Sequence, residues 1–149
     1  MARRFGVELN ISRLMLLIGL MCERLQQFED GERIFRAMKA FRADLPHPGT
    51  FLALCYVSQG RVREALAELA VNRAAFPAYQ MSKVLLGIAE RDAGETGWQR
   101  HLEEVIEDGR EEFAIRLAQD TLGIEGAPGS LSVGTAPSSS IPHASRVYA

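Results

Sequence analysis

The chain is poor in the residues that carry recognisable chemistry. Only two of its 149 residues are cysteine, Cys22 and Cys55. Their spacing fits neither a metal site nor a redox motif, so reduced thiols in a cytoplasmic protein are the expectation. Charge of one sign is lacking too. Seventeen basic residues face 19 acidic ones, for a net charge of −2 and a pI near 5.9. Nucleic acid and anionic membranes call for clustered positive charge, which this balance does not supply. The three histidines, His47, His101 and His143, fall in a turn, a helix and the tail, with no Cys or carboxylate at a ligand spacing. Glu103, Glu104, Glu107, Asp108, Glu111 and Glu112 wrap around one helix and its turn, interleaved with arginines, as a solvated face does. The glycines between Gly123 and Gly134 lack the Gly-Lys-Ser/Thr ending of a phosphate loop, and there is no nucleophile elbow. With no converging acid, base and nucleophile, the reading is not an enzyme, with no cofactor and no metal.

Long hydrophobic runs are also missing. Leu14 to Cys22 follows Arg3-Arg4 and imitates a secretory signal. Glu8 and Arg13 interrupt its approach, no small residue precedes Cys22, and the run falls short of the roughly 20 residues of a membrane span. It reads as a buried helix.

What is present is a 34-residue echo. Leu52-Ala53, Tyr56, Gly60, Ala65, Leu69 and Pro77 fall onto Ile18-Gly19, Cys22, Gln26, Gly31, Phe35 and Ala43. Leu86-Gly87 and Gly94 continue the series. Such a period marks stacked helix–turn–helix units, which cannot bury their apolar faces alone and stack into binding arrays. At 47% hydrophobic and 24% charged, the chain sits in the ordinary globular range.

Period and punctuation predict seven helices, at about 8–25, 28–43, 49–58, 62–75, 79–93, 98–107 and 111–122. Helix two should turn Ile34, Phe35, Met38 and Phe41 to one face. Helix four should turn Val62, Ala65, Leu66, Leu69 and Ala70 inward. Short connections imply antiparallel neighbours. The fold class is all-α, with a helical domain over 1–123. The remainder, 124–149, is rich in Gly, Ser, Pro and Ala and reads as a disordered or loosely packed tail.

From Ser12 to Glu112 the chain resembles the tetratricopeptide (TPR) repeat, with units starting at Ser12, Pro46 and Gln80. Small residues stand at the helix crossings (Gly19 with Gly31, Ala53 with Ala65, and Gly87), and turn glycines at Gly60 and Gly94, with Gln26 in the first unit. Gln99 stands where a small residue belongs, so the third unit is expected to depart, and helix seven to act as a solvating cap. The resemblance implies about three units, with the first helix of each lining a groove. Unit one contributes Leu16, Leu20, Glu23 and Arg24; unit two Thr50, Leu54 and Val57; unit three Met81, Val84, Ile88 and Arg91. These are mostly aliphatic, which suits the apolar face of an amphipathic helix. Helix one is apolar on every side from Leu14 to Cys22, so a partner, a second copy, the tail or a curled array must cover it. Arg33, Arg36, Lys39 and Arg42 form a basic patch on helix two, read as solubilising.

A second likeness spans Met81 to Gly123. Lys83-Val84-Leu85-Leu86-Gly87, Ala93-Gly94, Trp98, Glu104-Val105-Ile106-Glu107 and Gly109 resemble small TPR proteins of bacterial type III secretion, both Hrp-system proteins and needle-subunit chaperones. That resemblance implies a cytoplasmic bacterial chaperone. It would hold an amphipathic helix of a needle-type subunit and prevent premature self-assembly, with a second small co-chaperone as a further partner. The alternative is a generic TPR scaffold for protein–protein interaction, homo-oligomeric or not. The sequence leaves open the client, the stoichiometry, the role of the tail and what covers the first helix.

Overall fold

A computed structural model describes the backbone of residues 2–124 and side chains from Asn10 onward. The described residues form seven helices and no strand: α1 (Ala2–Arg24), α2 (Phe28–Phe41), α3 (His47–Ser58), α4 (Val62–Ala75), α5 (Gln80–Asp92), α6 (Trp98–Asp108) and α7 (Glu112–Leu122). The expected tail lies, apart from Ile124, outside the described residues. None of the described helices is long and apolar enough to cross a membrane.

Two predicted starts shift. Helix α1 begins at Ala2 rather than near Glu8, so the polar approach to the apolar run is helical. Helix α3 begins at His47, with Pro48 in its first turn. A proline there forfeits no helical hydrogen bond and its fixed φ favours the turn, so Pro48 opens the helix instead of interrupting it.

The sequence period is written into the backbone. Gln26, Gly60 and Gly94 lie 34 residues apart and all adopt left-handed φ, of 59°, 72° and 77°. Their neighbours close with the same hydrogen bond: Gln27 N–H to Cys22 O, Arg61 N–H to Tyr56 O, and Glu95 N–H to Glu90 O. The other helix ends repeat as well. Arg42 and Phe76 both have φ −132°, with ψ 63° and 66°. The 34-residue spacing then breaks. Its inner connection spans 93–97, against 25–27 and 59–61 in the earlier units, and Gly97 adds a second left-handed residue. The longer loop carries α6 out of the 34-residue register, which is why Gln99 need not be small.

Each helix contacts the next one in sequence, and each odd-numbered helix also contacts the next odd-numbered one. Close crossings follow the small residues. A Cβ on Gly19 would sit 2.5 Å from the Phe35 ring, and one on Gly87 would sit 3.0 Å from the Trp98 carbonyl oxygen. The core has two lobes. One joins Phe35, Met38, Leu52, Tyr56, Leu69 and Leu85 across α2 to α5. The other joins Met81, Val84, Leu102 and Val105 to Ala114 and Ala118 of α7. Ile88 packs against both. Phe41 and Ala70, expected inward, are exposed. Each stands off the buried row of its helix, which is Gly31, Phe35 and Met38 in α2 and Ala65, Leu69 and Asn72 in α4.

A buried polar knot fixes α3, α4 and α5 in register. Asn72 donates to Thr50 Oγ1 (2.8 Å), Ser82 Oγ (2.8 Å) and the Pro46 carbonyl (3.1 Å), and the two hydroxyls are 2.7 Å apart. Satisfied buried polar groups specify one arrangement, because any slip would leave them unpaired. Gln80 ties α5 to the start of α7. The Gln80 and Glu111 backbone N–H groups each donate to the other's side-chain oxygen at 3.0 Å.

Candidate partner-binding groove

The odd-numbered helices contact one another in turn, and the predicted groove residues stand on three of them, α1, α3 and α5. The structure divides that set. Leu16 and Leu20 of α1, Leu54 and Val57 of α3, and Ile88 of α5 are half-buried, and all rest on the larger core lobe. They keep apolar surface open while their inner edges are held by packing. Arg24 and Arg91 are exposed. Glu23 accepts a hydrogen bond from Ser58 at 2.9 Å, which closes α1 onto α3 at this end.

Thr50, Met81 and Val84 are enclosed, at 0%, 3% and 0% exposure. Thr50 is held inside the knot between α3 and α5. The face of α5 that carries Met81 and Val84 is covered by α6 and α7. These three side chains offer no surface to a partner. Arg91 bonds its neighbour Asp92 and stands with its guanidinium 5.8 Å from the Trp98 ring centre, directed towards α6. The open apolar surface is therefore narrower than the sequence reading, and runs over units one and two to Ile88.

The titratable groups nearby serve structure. Cys55 is fully buried, and burial with Glu23 and Glu32 near it pushes its thiol up to about 12. Such a thiol stays protonated and is a poor nucleophile. His47 Nδ1 lies 2.9 Å from the Tyr79 hydroxyl. Burial lowers the His47 pKa, and Glu111 opposes that shift only in part. Burial also raises the pKa of Tyr79. A neutral His47 accepting from the Tyr79 O–H satisfies both groups.

The basic patch on α2 is matched by the protein's own carboxylates. Arg36 meets Glu32, Lys39 meets Glu68, and Arg33 meets Asp30. Arg42 meets Asp44 and Ser12. Two acidic residues of α6 are likewise partnered: Glu104 by Lys83 and Arg100, and Asp108 by Arg110 and Gln80. Among the described residues, no three His, Cys, Asp or Glu side chains form a group able to hold a metal ion.

Sequence reasoning missed one feature. A cleft of about 680 Å³ opens between α4 and the α5–α6 connection, bordered by Arg73, Glu90, Thr96, Arg100 and His101. His101 Nε2 lies 3.1 Å from Glu90 Oε2, and its buried Nδ1 has no partner among the described residues. These residues share no sequence period. Only the displaced α6 brings them together, so no pattern could have shown the cleft in advance.

No protein-family model matches the chain, and no curated protein matches it either.

Proposed function

We propose that this protein is a TPR-like helical-repeat module whose groove, formed by α1, α3 and α5, holds the apolar face of an amphipathic helix. The observation that supports this reading most is the open aliphatic strip of Leu16, Leu20, Leu54, Val57 and Ile88. Helical ligands are recognised through apolar anchors at i, i+3, i+4 and i+7, and a strip of half-buried aliphatics on rigid helices is the complement of such a face. Arg24 and Arg91 flank the strip with positive charge, which suits acidic residues beside the ligand's apolar stripe. The recurring left-handed turns at 26, 60 and 94 support the repeat assignment.

Resemblance to type III secretion TPR proteins supplies the client class. A needle-type subunit polymerises through helical surfaces, and a groove covering such a surface keeps the subunit monomeric. In this reading the protein is a cytoplasmic bacterial chaperone rather than an enzyme. The test is co-expression with a type III needle-type subunit, followed by size-exclusion chromatography with light scattering. A soluble complex that replaces aggregated subunit supports the proposal. If the subunit aggregates unchanged and no complex forms, the chaperone reading fails and the generic scaffold stands.

A further inference from the structure

Helix α1 leaves a second apolar surface uncovered, separate from the groove. Ser12, Gly19 and Cys22 are buried towards α2 and α3. On the other side, Ile11 (44% exposed), Leu14 (57%), Ile18 (42%), Met21 (59%) and Leu25 (64%) face solvent. They recur in alternating steps of three and four. Leu25 stands just past the helix end, but its N–H still bonds the Met21 carbonyl at 2.9 Å, so it stays in the row. This is the seam of a two-stranded coiled coil, a stripe narrower than a globular core face. Leu17, 59% exposed, lies along one margin. The opposite margin, with Met15 and Cys22, is turned towards the core.

We infer that this seam docks against the same seam of a second copy of the chain, with the two α1 helices antiparallel. Four observations favour this occupant. First, the row is regular enough to pair with itself. An antiparallel register sets Ile11 against the second copy's Met21 and Leu14 against its Ile18, and brings the two Leu17 side chains together at the twofold axis. A parallel pair would instead set Leu17 against Cys22, which is buried under α2. Second, no charged side chain lies in the row, and the antiparallel register sets exposed Arg24 beside the second copy's Asn10 rather than a like charge. Antiparallel alignment also opposes the helix dipoles. Third, at these exposures the six side chains present roughly 600 Å² per copy, so a symmetric pair that covers them fully buries up to about 1,200 Å², which reaches the lower bound of a standard stable interface. Fourth, an exposed apolar stripe of this kind marks an interaction surface, and a second copy covers it. Segment 125–149 carries Pro128, Pro137 and Pro142 and no three-four repeat, so its sequence is a poor match to the seam.

This inference is independent of the groove and its client. Light scattering on the full chain should give a dimer at micromolar concentration. Leu14→Glu with Ile18→Glu puts four carboxylates into the paired seam and should weaken dimerisation by more than roughly a hundredfold, giving a monomer with unchanged helical circular dichroism. Leu17→Cys should cross-link to itself under copper-phenanthroline oxidation, and Ile18→Cys should do so far less. A wild-type monomer would overturn the inference, whether the cause is the tail folding back or an internally closed surface. A dimer that survives the double substitution would overturn it too, as would efficient Ile18→Cys cross-linking without Leu17→Cys, which marks a parallel pair. Client binding by the monomeric variant is measured separately, so loss of the dimer and loss of the groove are distinguishable.

Discussion

Gln26 is the one described residue other than glycine that adopts positive φ. The equivalent turns use Gly60 and Gly94, because a Cβ in the left-handed region crowds the following carbonyl. Gln26→Gly should therefore stabilise the fold by about 1 kcal/mol, read as a rise in the urea midpoint at constant slope. The glycine's greater entropy in the unfolded chain works against this gain, so an unchanged midpoint would mean that Gln26 is barely strained. Gly19 responds the other way. Its missing side chain admits the ring of Phe35, which is fully buried. Gly19→Ala should destabilise the protein by about 1–3 kcal/mol, since neither the ring nor the helix has room to move. Retention of full stability would show that α1 can lift off α2 at little cost. Both positions were legible from spacing alone. The three enclosed groove residues were not, because a helical period shows which side chains share a face and not what later covers that face.

At the scale of the helices, the junctions carry the fold. The α3–α5 junction has Asn72, Thr50 and Ser82 at its centre and His47 with Tyr79 at its edge. Burial depresses the pKa of His47 in the folded state. Its stabilising contribution is then complete above the unfolded value near 6.5 and is lost as pH falls below it, because the unfolded chain takes up the proton first. Urea unfolding at pH 7.5 and 5.5 should show a loss of stability for the wild type and a smaller loss for His47→Asn. Equal losses would contradict a desolvated His47. The helices and most of their ends could be read from the sequence, since Gly60, Gly94, Gly109 and Gly123 stop them with left-handed turns. The start of α1 could not be read, because residues 2–9 have no apolar period of their own. Nor could the extent of its cover. The expectation of a buried helix holds for Ser12, Gly19 and Cys22 and fails for Leu14, Leu17, Ile18 and Met21, since α2 and α3 leave the opposite side of α1 open.

Across the described residues, three helix pairs and a closing helix build one continuous core, with two apolar surfaces left over. One lies along α1, α3 and α5; the other lies on the outer side of α1. The 34-residue period made the pairing of helices legible, because each unit repeats the same turn and the same small-residue crossing. The cleft beside His101 was not legible, because it arises where the period breaks at Gly97. The ligand proposed for the first surface is an amphipathic helix. The most direct test is fluorescence anisotropy with a labelled amphipathic peptide, the carboxy-terminal helix of a type III needle subunit. The wild type is compared with Leu54→Asp/Ile88→Asp and with Arg24→Glu/Arg91→Glu, whose arginines are exposed and can be changed without disturbing the core. The account predicts saturable binding by the wild type. It predicts loss of binding in the aliphatic variant with helical content retained, and at least roughly tenfold weaker binding in the charge-reversed one. Wild-type affinity in both folded variants would contradict it.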